Sequence, residues 1–254
     1  MAAGIRSVLA VADLVDVVIE VRDARLPRST AVASLHPRLG RKPLLVLLNR
    51  SDLAEAGPTK HWREALAEAG HAAFACDARR AATLREVRSN LVARPRKRGP
   101  VLRAVVVGAP NTGKSSVINA LSRSKRARVS DRPGVTRHAL WLKLESGVEL
   151  LDTPGVLAPR ITDRQAAWKL ALCGSLPESA FDVEETVTQL HAWLSRNRPA
   201  LAGLADLDAF SAARGMRRHG GEPDRVNAAR KLVSLFRTGK LFRLTLETPE
   251  KTDG

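Results

Sequence analysis

The segment that most constrains this chain is Gly108-Ala-Pro-Asn-Thr-Gly-Lys-Ser115, which meets the pattern G-x-x-x-x-G-K-[ST] at every fixed position. The apolar run Leu102–Val107 before it predicts a strand, and Lys114–Leu121 after it predicts a helix. A strand, a glycine turn and a helix in that order belong to layered α/β architecture. The chemistry follows from the backbone. Several N–H groups at a helix N-terminus must converge on a polyphosphate, and glycine at 108 and 113 lets the chain turn and approach closely. Asn111, Thr112, Gly113 and Ser116 supply further nucleotide contacts in this reading, Lys114 neutralises the β- and γ-phosphates, and the Ser115 hydroxyl takes a Mg²⁺ position.

Two downstream segments complete a triphosphate site. Leu150-Leu-Asp-Thr-Pro-Gly155 places Asp152 at a strand end, where it can hold Mg²⁺, and Gly155 where its N–H can meet a γ-phosphate. Between the two lies Arg132-Pro-Gly-Val-Thr-Arg137, whose Thr136 is the candidate for a loop hydroxyl that closes on Mg²⁺ when the γ-phosphate is present.

Upstream, Val15–Val21, Pro43–Leu48 and Ala72–Ala75 read as short buried strands, and Thr59–Ala69 as a helix with Trp62 and Leu66 on one face. A second helix runs through Leu84, Val87 and Leu91, and the basic segment Arg94–Pro100 is a linker before the pattern restarts at Leu102. The alternation predicts an α/β fold with a mainly parallel sheet covered on both faces. Past Pro177 the strand signal ends. Val183, Val187, Leu190 and Leu194 sit at helical spacing, as do Val226, Ala229, Val233 and Phe236, with Asp224 as a cap and Gly239 as a stop. The expected division is residues 1–176 for the nucleotide domain and 177–254 for a small all-α domain.

The strand Pro43–Leu48 leads into Asn49-Arg-Ser-Asp52, a version of N-K-x-D in which Arg50 replaces Lys. A carboxylate at Asp52 accepts from the N1–H and 2-amino groups of guanine. Adenine lacks that pair of donors, which disfavours an ATPase reading by a factor on the order of 10⁴. Cys76, in Ala75-Cys-Asp-Ala78, is a looser candidate on the guanine side. This base motif precedes the phosphate loop by about 60 residues, the reverse of the usual order. A parallel sheet accommodates the reversal by circular permutation, with Arg94–Pro100 joining the old termini.

These segments, taken with V-D-x-V-I-E-V-x-D-A-R-x-P over residues 15–27, resemble the circularly permuted YlqF-type GTPases across nearly the whole chain. Lys169–Gly174, Gly220–Asp224 and Phe236–Lys240 are similar to the closing segments of that family. The resemblance implies a GTPase that cycles between GTP and GDP, docks on the maturing large ribosomal subunit and its rRNA, and leaves after hydrolysis. It also implies that Asn111 helps hold K⁺ beside the phosphates. One departure bears on catalysis. The family carries a His in an aromatic-Pro-Gly-His-Met opening, whereas this chain begins Met-Ala-Ala-Gly, and its first His is His36. Val156 and Leu157 stand where a water-positioning Gln would follow D-x-x-G, so the expectation is slow intrinsic hydrolysis accelerated by the partner, with the water-activating residue unassigned.

Charge agrees with a polyanionic partner. The 254 residues carry 42 Lys+Arg against 26 Asp+Glu, a formal charge of +16. Nine Lys/Arg and two acids lie between Arg214 and Arg243, with Arg217, Arg218 and Lys240 the candidate RNA contacts. Two distant cysteines, Cys76 and Cys173, argue against a disulfide framework or a zinc site. Val8–Val21, interrupted by Asp13 and Asp16, is too short and too charged to span a bilayer. A cytoplasmic monomer without stable membrane association is expected.

Overall fold

The computed structural model describes residues 2–40, 42–96, 99–122, 128–130, 140–144, 147–152 and 164–249. Among the described residues seven strands form one sheet: β1 (Val17–Asp23), β2 (Leu44–Asn49), β3 (Ala72–Cys76), β4 (Leu102–Val107), β5 (Arg128–Ser130), β6 (Leu140–Leu144) and β7 (Val148–Asp152). Their order is β3-β2-β1-β4-β7-β6-β5. The ladders from β3 to β7 are parallel, and β6 and β5 add antiparallel at one edge.

The central strands are apolar on both faces, as a sheet covered on both sides requires. Val18, Val46, Leu48, Val105 and Val107 point to one side, where α1 (Ala2–Ala12) contributes Val8 and Val11 and α2 (Ala56–Glu68) contributes Trp62 and Leu66. Ile19, Leu45, Leu47, Ala104 and Val106 point to the other, against Val87 and Leu91 of α3 (Arg85–Ala93) and Val117, Ile118 and Leu121 of α4 (Lys114–Ser122). The apolar stretch at 8–21 is thus two elements. Asp16 separates them and pins the entry to β1, its carboxylate accepting from the Arg103 N–H at 2.8 Å and its own N–H donating to the Arg103 carbonyl at 2.8 Å.

The chain divides into two compact units, Met1–Pro159 with Glu247–Gly254, and Arg160–Leu246. The boundary therefore falls earlier than residue 176. The reason is α5 (Arg164–Cys173), whose Leu170, Ala171 and Leu172 are buried and whose Ala171 and Leu172 carbonyls accept from the Arg237 guanidinium at 2.6 and 3.1 Å. That arrangement ties α5 to α9 (Arg225–Arg237). Between them lie α6 (Val183–Asn197), α7 (Pro199–Ala202) and α8 (Leu207–Ala213). Asp182, Asp206 and Asp224 each cap the helix that follows through a side-chain oxygen. The end of the chain rejoins the first unit, where the Glu247 carboxylate accepts from the N–H of Arg28 at 2.8 Å and Trp62 Nε1 donates to the Glu247 carbonyl at 2.9 Å.

Candidate nucleotide site

The loop Gly108–Gly113 runs from the end of β4 to the first turn of α4. Gly108 passes directly over β1, and a Cβ there would lie 2.3 Å from the Val21 carbonyl oxygen. Gly113, at φ +94°, packs on Asn49, and a Cβ would lie 2.3 Å from Asn49 Nδ2. Asn111 also has positive φ, +58°. The two fixed glycines of the motif are therefore needed for packing against the upstream half of the chain as well as for the turn itself. Thr112 Oγ1 donates to the Ala109 carbonyl at 3.0 Å, and Lys114 Nζ donates to the same carbonyl at 2.7 Å. Ser115 and Ser116 are exposed at the start of α4.

The base motif lies against this loop. Asn49 closes β2, and its Nδ2 donates to the Thr112 carbonyl at 2.8 Å while its Oδ1 accepts from the Ala78 N–H at 3.0 Å. Arg50, at φ +60°, donates from Nη2 to the Asn111 carbonyl at 2.7 Å and from Nη1 to Asp23 at 3.4 Å. Arg50 thus braces the phosphate loop, using the planar fork that distinguishes it from Lys. Asp23 is fully buried and forms a bidentate pair with Arg25 at 2.9 and 2.7 Å. Burial alone would raise its pKa, but the Arg25 and Arg50 guanidinium groups outweigh that and hold it below the ordinary value.

Asp52 carries the decisive detail. Its Oδ2 pairs with Arg79, while Oδ1 is buried and has no hydrogen-bond partner among the described residues. A buried carboxylate oxygen with no donor is costly, and a ligand with N–H groups would satisfy it. Arg79 also contacts Asp77, whose Oδ1 accepts from Arg79 Nε at 3.1 Å and from the Arg79 N–H at 3.0 Å. Cys76 takes a supporting place. It is fully buried, its thiol lies 3.8 Å from Asn49 Oδ1, and burial pushes its pKa up to about 12, so it holds Asn49 and offers no thiolate.

Asp152 ends β7 in register with Val106, two residues before Gly108, which puts it beside the phosphate loop at the backbone level. A serine hydroxyl and an aspartate carboxylate form the hard-oxygen donor set that suits Mg²⁺. Thr136 and Gly155 lie outside the described residues. Sequence reasoning missed Asp77 and Arg79, because their role depends on a contact with a residue 27 positions away.

In the helical unit, Arg217, Arg218 and Lys240 are exposed. Arg217 and Pro223 form an isolated antiparallel bridge, and Arg217 Nη1 donates to the Gly221 carbonyl at 3.0 Å, which shapes a tight turn at Gly220-Gly221. Not all of the nine basic residues are available to a partner. Arg225 pairs with Glu184 and Asp208, each at 2.7 Å, and Arg237 is spent on the α5 carbonyls.

A parallel sheet whose G-x-x-x-x-G-K-S loop is braced by an Asn-Arg-Ser-Asp turn from an earlier strand defines a circularly permuted P-loop GTPase. A family model described as a 50S ribosome-binding GTPase matches residues 103–196. Ribosome biogenesis GTPase A of Bacillus cereus is 33% identical over 277 residues, covering 99% of this chain and 92% of that protein. The chain belongs to the ribosome biogenesis GTPase A family. A GDP-bound YlqF structure matches with a TM-score of 0.75 at 31% identity, covering 94% of this chain and 97% of that one. A GNP-bound YlqF from T. maritima matches at 0.74 and 30% identity, covering 96% and 97%. No helix among the described residues is long and apolar enough to cross a membrane.

Proposed function

We propose that this protein binds and hydrolyses GTP as a timer for assembly of the large ribosomal subunit, with hydrolysis slow until the ribosomal partner stimulates it. The observation that carries the nucleotide half of this reading is the unpartnered, buried Asp52 Oδ1 beside the Asn49 and Arg50 braces on the phosphate loop. Asp52 accepts from guanine N1–H and the 2-amino group. Lys114 moves from the Ala109 carbonyl to the β/γ-phosphates. Ser115, Asp152 and Thr136 hold Mg²⁺, which neutralises phosphate charge when bound, and Asn111 holds K⁺. Gly155 turns its N–H toward the γ-phosphate.

The ribosomal half rests on the exposed basic turn and helix end of the helical unit. Arg217, Arg218 and Lys240 neutralise rRNA phosphates, in a mode that reads shape and backbone and needs few aromatic residues. The second unit is accordingly the RNA- and ribosome-binding domain of a cytoplasmic, monomeric factor.

GTP turnover measured in K⁺ and in Na⁺, with and without large subunits, tests the whole reading. Stimulation by subunits, larger in K⁺, is expected. Fast turnover by the isolated protein in both salts would overturn the timer. Subunit binding gated by GTP without stimulated turnover would leave a nucleotide-controlled RNA-binding factor instead.

A further inference from the structure

Two carboxylates converge on one guanidinium at the guanine side of the site. Arg79 reaches Asp52 through Nη2, and Asp77 through Nε at 3.1 Å and Nη2 at 3.4 Å. Asp77 is held in place from several directions. Its N–H donates to Thr83 Oγ1 at 3.0 Å, its carbonyl accepts from that hydroxyl at 2.9 Å, and its side chain is 7% exposed. These contacts fix the Asp77 backbone, and the Arg79 N–H at 3.0 Å and Nε at 3.1 Å hold its carboxylate beside the base site.

This creates a problem for base recognition. Asp52 must hold its unpartnered oxygen in one orientation for the ligand. A second carboxylate in the same small region repels the Asp52 carboxylate and the O6 edge of a guanine. Arg79 is the cation that answers both charges. An exposed ion pair of this kind contributes little to folding stability, and the Arg79 side chain is 68% exposed. Its value lies in what it does to Asp52.

We infer that Arg79 is a positioning residue for guanine recognition, which neutralises Asp77 and fixes Asp52 so that its unpartnered oxygen meets the base. The inference rests on the base-site reading proposed above. Asp77 anchors the Arg79 guanidinium at 3.1 and 3.4 Å, so with the Asp77 charge removed Arg79 no longer holds Asp52 in place and its further loss costs little.

Binding of a fluorescent GDP analogue to the full-length protein, with unlabelled GDP, IDP and ADP as competitors, tests this. The proteins are wild type, Arg79→Ala, Asp77→Asn and the double variant, each checked for an unchanged thermal midpoint. IDP lacks the 2-amino group, so the GDP-over-IDP preference reports the Asp52 contact. Arg79→Ala is expected to weaken GDP binding roughly tenfold or more and to compress the GDP-over-IDP preference. Made on top of Asp77→Asn, the same change is expected to cost less than about threefold relative to Asp77→Asn alone. An equal loss in both backgrounds, or a GDP-over-IDP preference that Arg79→Ala leaves intact, would overturn the inference while leaving the base site standing. A wild-type protein that binds ADP as well as GDP would overturn the base-site reading, and the role of Arg79 with it.

Discussion

The Asn49 side-chain amide lies 2.8 Å from the Thr112 carbonyl, so a residue at the end of β2 holds the phosphate loop that follows β4. The other end of the same amide accepts from Ala78 at 3.0 Å. One side chain thus connects three loops drawn from distant parts of the chain. Asn49→Ala would leave both backbone groups without their partner in a buried setting. It is expected to cost about 1–3 kcal/mol of stability. It should also weaken binding of GDP and GTP together, because the phosphate loop loses its brace. Urea unfolding and nucleotide titration check the two effects.

Gly108 admits no side chain. A Cβ would press on the Val21 carbonyl oxygen at 2.3 Å, and that oxygen belongs to a central strand that cannot give way. Gly108→Ala is expected to displace the loop, destabilise the protein and abolish measurable nucleotide binding. Isothermal titration with GDP on the folded fraction decides it, and retention of wild-type affinity would contradict the packing account.

Glu20 makes a pH-dependent contribution to stability. It is fully buried in β1, paired with Arg22 at 2.6 Å and hydrogen-bonded to His36 at 3.1 Å. Burial would raise its pKa, but the His36 hydrogen bond and the Arg22 charge prevail and lower it from 4.5 to about 2. A carboxyl whose folded pKa is depressed stabilises the fold fully above its unfolded pKa, and that stabilisation is lost as pH falls toward the folded value. Glu20→Gln is expected to cost about 3–5 kcal/mol at neutral pH, because it leaves Arg22 buried without its counter-charge. The gap between wild type and variant should narrow between pH 4.5 and about 2, as followed by denaturant unfolding at a series of pH values.

Charge reversal of Arg217 and Arg218 tests the basic turn. The double change to Glu is expected to lower co-sedimentation with large ribosomal subunits and to flatten its salt dependence, by about one unit of slope for each rRNA phosphate that is no longer neutralised. Arg218 Nε lies 3.7 Å from Asp224, the cap of α9, so the thermal midpoint of the double variant is read alongside; Arg225 makes two shorter pairs. Because Arg225 pairs with Glu184 and Asp208, its replacement should lower the thermal midpoint of the helical unit.

Much of this is legible in the sequence. The parallel strands declare themselves as short apolar runs, and the central ones, as in Val17–Val21 and Leu44–Leu48, are buried on both faces, whereas the edge strand β3 is only half-buried. The phosphate loop is legible because glycine spacing encodes backbone geometry directly. The antiparallel edge strands β5 and β6 give no such signal, since Arg128–Ser130 and Leu140–Leu144 are too short to stand out as strands. Helix α1 is hidden too, because its apolar residues run on toward β1 with only Asp13 and Asp16 to mark the change. On the guanine side, Ala75–Ala78 is a weak match, and neither the burial of Cys76 nor the reach of Arg79 across 27 positions has a local signature.

The order of strands in the sheet has a consequence for how this protein is made. Strands β3, β2 and β1 all come from the first 76 residues, and β4, β7, β6 and β5 all come from residue 102 onward. The two halves share one ladder, β1 against β4. A chain emerging from its own ribosome completes the first half while the flank of β1 that will receive β4 is still open. That flank belongs to Val-Val-Ile-Glu-Val, an apolar strand with a bare row of N–H and C=O groups. Such an edge invites pairing with any other extended segment nearby. Synthesis past Val107 closes the edge and, in the same event, brings the phosphate loop against Asn49, so the site is assembled by the step that ends the risk.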